Sequence, residues 1–145
     1  MTELPDGWVR STLGEVATWG SGGTPQAGNP RYYGGQIPWA IIGDLTDSDV
    51  FTTEKHITEE GLANSSAKLV PEGAILIAMY GSIGKMGIAK VPMATNQAIA
   101  FALPKPDLLN AKYLFWYLRS QRDVFLASGK GATQQNISQT LLKSW

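Results

Sequence analysis

The chain has 145 residues, 43% of them hydrophobic and 17% charged. That is the size and composition of one globular domain, which buries roughly 70% of its unfolded surface around a single core. The absence of cysteine excludes disulfides, thiolate metal sites and thiol nucleophiles, and the single histidine, His56, excludes a histidine cluster. Sixteen glycines and eight prolines indicate many turns and a fold that is not all helix. Formal net charge is zero but unevenly spread: residues 1–60 carry three basic and nine acidic side chains, and residues 61–145 carry nine basic and three acidic. Such asymmetry either builds a basic face suited to a polyanion or cancels in space, and composition weighs the two equally. The N-terminus has no basic start followed by an apolar run, and the longest apolar stretch, 74–79, is too short to span a bilayer. A cytoplasmic protein with no membrane partner is expected.

Taken in chain order, residues 8–10 read as extended, and Ser11 is positioned to cap a brief helical turn through Val16 with Glu15 in support. Residues 17–19 read as a strand that ends at a glycine-rich loop over 20–25. A second turn cluster covers 28–35. A strand follows over 37–42, with Pro38 near its start where a missing N–H is tolerated. Thr58 caps a short helix through Ala63; 67–70 is extended; Pro71-Glu72-Gly73 is a turn; and 74–79 is a buried strand. A glycine-punctuated loop spans 80–85, with further strands over 86–90 and 97–103. From Asn110, a good helix cap, 111–127 has helical periodicity that sets Leu114, Leu118 and Phe125 on one face and places Arg119, Gln121, Arg122 and Asp123 mostly on the other. Gly129 or Gly131 ends that helix, and Ser138 caps a last one. The expected fold class is α+β: a curved, mostly antiparallel sheet with glycine-rich loops, followed by a C-terminal helical part. Trp8, Trp39, Leu76, Ile77, Leu114, Trp116 and Leu118 are assigned to packing.

Catalytic motifs are present only in part. Gly81-Ser82-Ile83-Gly84-Lys85 approaches a phosphate-binding loop, but only two residues separate its glycines and Met86 follows the lysine, so it could not wrap a triphosphate. Asn29-Pro30-Arg31-Tyr32 approaches the Asn-Pro-Pro-Tyr motif of base amino-methyltransferases. It lacks the second proline, and no glycine-rich strand-to-helix turn accompanies it to hold a methyl donor. No Gly-x-Ser-x-Gly is present for a hydrolase using His56. Asp44, Asp47 and Asp49 are the nearest thing to a carboxylate metal cluster, although an acidic loop is more often simply solvated. No catalytic residue and no metal ligand are therefore assigned.

What remains is a set of loop residues with the chemistry of base readers. Amides and cationic donors read base edges, while Lys, Arg, hydroxyls and backbone N–H groups hold phosphates. The loops supply Ser21 and Thr24; Arg31, Tyr32 and Tyr33; Tyr80, Ser82 and Lys85; Asn96 and Gln97; and Lys130, Thr133, Gln134, Gln135 and Asn136. Glycines beside them, such as Gly22, Gly23, Gly81, Gly84, Gly129 and Gly131, would let backbone approach another surface, although Gly, Asn and Ser also simply make turns.

The order of short motifs resembles one family. Gly7-Trp8 with Leu13-Gly14-Glu15-Val16 is followed by Gly22-Gly23-Thr24-Pro25, then Tyr33-Gly34-Gly35-x-Ile37-Pro38-Trp39 and Gly43-Asp44-Leu45. The centre carries Ser66-Ala67-Lys68-Leu69-Val70-Pro71-Glu72-Gly73 and Tyr80-Gly81-Ser82-Ile83-Gly84-Lys85. The end carries Ala94-Thr95-Asn96-Gln97-Ala98 and Gly131-Ala132-Thr133-Gln134-Gln135-Asn136-Ile137-Ser138. Each is weak alone. Together, in order over nearly the whole chain, they resemble the target recognition domain of type I restriction-modification specificity subunits.

The resemblance implies an α+β domain whose loops recognise a double-stranded DNA sequence without catalysis of its own. Modification subunits using S-adenosylmethionine and restriction subunits using ATP and Mg would be its partners, and none of those cofactors would be bound by this chain. Candidate DNA-binding residues are Thr24, Arg31, Tyr32, Ser82, Lys85, Lys130, Gln134, Gln135 and Asn136. Lys85, Lys130, Arg31 and neighbouring glycine N–H groups are expected on phosphates, and Gln134, Gln135, Asn136 and Ser82 on base edges. If the shared motifs are scaffold, specificity would lie in 26–31 or 47–55 instead. The family's spacer helix and second domain would begin where this chain stops, so a single recognition domain over 1–145 is expected, without spacer or second domain. Two alternatives stay open: a protein-interaction domain that has lost DNA binding, and a base-modifying methyltransferase.

Overall fold

A computed structural model describes residues 3–128 and 136–145. The elements run α1 (Leu13–Val16), β1 (Ala17–Ser21), β2 (Tyr33–Ala40), β3 (Ser48–Val50), β4 (Lys55–Ile57), α2 (Glu59–Ala63), β5 (Ile75–Ala78), β6 (Met86–Ala89), β7 (Ala94–Thr95), β8 (Ile99–Pro104), α3 (Ala111–Ser120), α4 (Arg122–Ser128) and α5 (Gln139–Ser144). The α+β class holds, but the strands form two sheets where one was expected: β1-β8-β5-β6-β3 and β4-β2-β7. Four strand pairings are antiparallel (β1/β8, β2/β4, β5/β6 and β5/β8). Two are parallel, β3/β6 and β2/β7.

Strand β5, Ile75-Leu76-Ile77-Ala78, lies at the centre of the larger sheet and is buried on both faces. Side chains alternate across a strand. Ile75 and Ile77 pack with Leu114, Leu118, Phe125 and Leu142 from α3, α4 and α5. Leu76 and Ala78 pack on the other side with Leu45, Val50, Val70 and Met93. Strand β8 repeats the division, with Ala100 and Ala102 on the helical side and Ile99 and Phe101 on the other. A third cluster, Trp39, Ile57, Ala67 and Ala94, underlies the small sheet.

Several boundaries differ from the sequence reading. β1 continues through Gly20 and Ser21, paired to Phe101 and Ala100, because the missing side chain of Gly20 makes room for the Phe101 ring; a Cβ there would lie 2.4 Å from it. β3, β4 and β7, each two or three residues long, carry too little pattern to be read from sequence. β2 begins at Tyr33 and holds a bulge, since Tyr33 and Ile37 both stand opposite Ile57. Thr12 rather than Ser11 precedes the first helix, and neither side chain caps it: both hydroxyls donate to the Glu15 carboxylate. The long helix divides at Gln121 into α3 and α4. The caps at Thr58, Asn110 and Ser138 are as expected: each side-chain oxygen accepts a first-turn N–H.

Of the seven packing assignments, five are buried. Trp8 and Trp116 are not, at 68% and 63% exposure. Trp8 precedes the first regular element. Trp116 stands two positions from both Leu114 and Leu118, about 200° around a helix at 100° per residue, and so on the opposite face from them. Helix α1 meets the last residue: the Leu13 N–H donates to the Trp145 carbonyl at 2.9 Å, and the Trp145 ring packs edge-on against Phe125.

Candidate functional site

The strand registers collect several loops at one rim of the larger sheet. β1 and β5 end there, and β8, β6 and β3 begin there, because Ser21 pairs with Ala100, Ala78 with Ile99, Ile77 with Met86, and Ser48 with Gly87. Residues 22–24, 45–47, 79–85 and 96–98 therefore leave the sheet at the same end.

Backbone hydrogen bonds lock these segments to one another. The Gly23 N–H donates to the Thr95 carbonyl (3.0 Å), the Asn96 N–H to Ala40 (2.9 Å), the Met79 N–H to Ala98 (2.8 Å) and the Ile137 N–H to Met79 (2.9 Å). Tyr80 forms a bridge with Asn136. Three of the expected site residues thus come from two segments to one region, Ser82 and Lys85 from the 79–85 loop and Asn136 from the segment bridged to Tyr80. Thr24 joins through its hydroxyl, which donates to the Gln97 side-chain oxygen Oε1. Thr24, Gln97, Ser82 and Asn136 are exposed and Lys85 is half-buried.

Arg31 and Tyr32 are held elsewhere. Their carbonyls accept from the Thr58 hydroxyl (2.6 Å) and the Thr58 N–H (3.0 Å), at the start of β2 beside α2. The Asn29 side-chain oxygen accepts the Arg31 N–H at 3.0 Å, so this amide closes its own turn. Lys130, Gln134 and Gln135 lie outside the described residues.

The glycines next to the site act differently from the expectation. Gly22 and Gly23 bring backbone close to other parts of this same chain: a Cβ on Gly22 would lie 1.9 Å from the Thr95 carbonyl, and one on Gly23 would lie 2.1 Å from the Ser66 hydroxyl. The N–H groups of Gly23, Gly84 and Lys85 are spent on Thr95, Ala78 and Ser82, so they are not donors for a phosphate. The hydroxyls of Tyr80 and Ser82 and the Lys85 ammonium remain as the polar side-chain groups of that loop.

The acidic loop is divided among separate partners. Asp44 accepts the N–H groups of Ile41 (2.9 Å) and Glu54 (3.1 Å), and Asp49 lies 3.9 Å from Lys90. Asp47, in a left-handed conformation at φ 60°, accepts the Met86 N–H (3.0 Å) and the Arg122 guanidinium. Burial works to raise the Asp47 pKa, but the hydrogen bonds from Arg122 and Met86, with the charges of Arg122 and Arg119, hold it below the ordinary carboxylate value. Both ion pairs among the described residues join an acid of the first sixty residues to a base of the remainder, so the charge asymmetry partly cancels in space.

Three contributors were not singled out from sequence. Gln97 stood among the loop residues without a role. Lys68, whose ammonium reaches the Ser21 carbonyl at 3.2 Å, lay inside a motif read as a whole. Arg122 belongs by periodicity to the face opposite Leu114 and Leu118, and its side chain turns onto the 80–85 loop.

On the small sheet, a cleft of about 630 Å³ is bordered by Thr24, Tyr33, Trp39, Glu54, Lys55 and His56. The polar atoms of both its aromatics are occupied, Trp39 Nε1 by the Gly23 carbonyl (3.0 Å) and the Tyr33 hydroxyl by the Pro25 carbonyl (2.5 Å). No helix among the described residues is long and apolar enough to cross a membrane.

A family model described as the type I restriction modification DNA specificity domain matches residues 5–145. The chain is 34% identical over 124 residues to the type I restriction enzyme EcoR124I/EcoR124II specificity subunit of Escherichia coli, covering 82% of this chain and 30% of that protein. It is 29% identical over 122 residues to the MjaIX specificity subunit of Methanocaldococcus jannaschii, covering 82% of this chain and 28% of that one. Among solved structures, it superposes on the HsdS subunit from Thermoanaerobacter tengcongensis with a TM-score of 0.72 at 22% identity, over 99% of this chain and 33% of that one. A chain from a study of complex assembly and conformational transition of the type I R-M system gives 0.76, also at 22% identity, over 99% of this chain and 34% of that one. These two likenesses bear on the fold, and the chain spans about a third or less of each relative. With motif order, fold and a match over nearly every residue in agreement, the chain belongs to the type I restriction modification DNA specificity domain family.

Proposed function

We propose that the chain is a DNA-reading module: it recognises a sequence in double-stranded DNA as part of a type I restriction-modification specificity subunit and performs no reaction itself. The observation that carries this reading is the sheet rim, where loops from distant parts of the sequence present Thr24, Gln97, Ser82, Lys85 and Asn136 on one interlocked backbone. A reader needs amides and hydroxyls for base edges and cations for phosphates, held on a rigid frame. The rim has that composition. Among the described residues its polar groups are not arranged as a nucleophile and base, which supports recognition over catalysis.

In this reading Lys85 and Lys68 contact phosphates, with Lys130 as a further contributor, while Ser82, Gln97, Gln134, Gln135 and Asn136 address bases. Thr24 acts by orienting the Gln97 amide. Arg31 and Tyr32, away from the rim, would reach DNA only as a flanking contact. Methylation with S-adenosylmethionine, and cleavage with ATP and Mg, are assigned to partner modification and restriction subunits that this module directs. The same reading makes this chain one recognition domain and places it in the cytoplasm.

Selection from a random duplex library, with and without a modification subunit, tests the proposal. Enrichment of one sequence, with affinity that falls as salt rises, is expected. No salt-sensitive binding under either condition would favour a protein-interaction domain instead, and methyl-donor binding by calorimetry would favour an enzyme.

A further inference from the structure

Arg122 is the first residue of α4, on the helical side of the large sheet, yet its guanidinium serves the rim. Nε and Nη2 donate to the Gly84 carbonyl at 3.0 and 2.8 Å. Nη1 donates to Asp47 Oδ2 at 3.2 Å, and Nη2 also reaches Asp47 Oδ1. Asp47 extends the link, because its Oδ1 accepts the Met86 N–H (3.0 Å) and its own N–H donates to the Met86 carbonyl (2.8 Å). One side chain thereby ties α4, the segment before β3 and the two residues on either side of Lys85.

The local backbone favours glycine at position 84. Gly84 has φ 84°, and a Cβ there would lie 3.0 Å from Arg122 Cγ. Arg122 is about a quarter exposed, which leaves its bonds only partly in competition with water. Lysine cannot replace it: a single ammonium cannot serve a carbonyl and both oxygens of a carboxylate in one plane.

We infer that Arg122 is a positioning residue for DNA recognition, a clamp that holds the Ser82–Lys85 turn in its binding geometry without itself contacting the duplex. The inference rests on the reading of the rim as the DNA-facing surface. A flexible lysine on an unclamped turn must be ordered when it binds, and that ordering subtracts from affinity. The clamp supplies the order in advance. Removing it should therefore abolish the contribution of Lys85 even though Lys85 is still present.

The experiment is a double-mutant cycle on the full chain. A labelled random-sequence duplex serves as probe, with binding read by fluorescence anisotropy across a salt series. Wild type, Lys85→Ala, Arg122→Lys and the double variant are compared, and amide exchange by NMR reports on folding. Lys85→Ala alone should lower the salt slope by roughly 0.9, the value of one phosphate contact. Arg122→Lys keeps the charge but should weaken binding, and Lys85→Ala should add little in that background, since residues acting as a unit are not additive. Exchange should quicken at Met86 while the amides of β5 stay protected. Asp47→Asn, which breaks the clamp from its other side, should reproduce the pattern if Arg122→Lys folds poorly. Additive effects of the two substitutions, or a Lys85→Ala variant with unchanged slope, would overturn the clamp while leaving rim recognition by other residues standing. Absence of salt-sensitive binding by the wild type would overturn the reading and the clamp together.

Discussion

Replacing Gly22 with alanine separates two roles for the glycine loop. If Gly22 serves only to let DNA approach, Gly22→Ala should leave stability intact and weaken binding. The structure requires more. The new Cβ would sit 1.9 Å from the Thr95 carbonyl oxygen, 2.3 Å from the Thr95 hydroxyl and 2.4 Å from the Thr95 carbonyl carbon. Two of those atoms are backbone, so the loop must move away from β7. Overpacking of this kind costs about 1–3 kcal/mol. The displacement also breaks the bond from the Gly23 N–H to the Thr95 carbonyl, a loss of about 1 kcal/mol. The sum, roughly 2–4 kcal/mol, corresponds to a fall in Tm of about 6–12 °C for a domain of this size. Gly43→Ala is the control: a Cβ there meets nothing within 4 Å and the backbone does not require glycine, so a change within about 0.5 kcal/mol is expected. Thermal unfolding of both variants, followed by circular dichroism, decides the matter. If Gly22→Ala melts with the Gly43→Ala control, the close packing of the glycine loop on Thr95 is wrong, and with it the account of how Thr24 is placed.

Leu118→Ala should cost about 2–5 kcal/mol in denaturant unfolding, because Leu118 is fully buried between α3 and the large sheet, whereas Trp116→Ala should cost under about 1 kcal/mol. Asn110→Ala should cost about 1 kcal/mol, since its side-chain oxygen satisfies the Lys112 and Tyr113 N–H groups at the head of α3. Asp47 contributes with a definite sign. Its folded pKa lies below the ordinary value, so the stability it confers is fully present above about pH 4 and is lost as pH falls through the folded value. The advantage of wild type over Asp47→Asn should therefore shrink in acid, and an advantage independent of pH between 6 and roughly 2 would refute the ion pair as its source.

The sequence by itself determined the class of fold, the long elements and the family. Strand β5 was legible because a short continuous apolar run between turns marks a strand buried on both faces, the face of α3 bearing Leu114 and Leu118 because burial imposes a period of 3.6 on a helix, and the caps at Thr58, Asn110 and Ser138 because a first-turn N–H needs an oxygen at a fixed offset. Trp116 is exposed because, although an aromatic at helical spacing is usually core, its position is on the opposite face of that helix. The division into two sheets was beyond sequence, since β3, β4 and β7 are held by pairing partners distant along the chain rather than by any local pattern. The site divides in the same way. Side-chain chemistry identified Thr24, Ser82, Lys85 and Asn136 as candidates. Only the tertiary structure placed them on one rim, turned Gly22 and Gly23 inward onto Thr95 and Ser66, left Arg31 and Tyr32 beside Thr58, and directed Arg122 to Asp47 and Gly84. Those are contacts between residues dozens of positions apart, and no local rule of spacing encodes which distant backbone a side chain will meet.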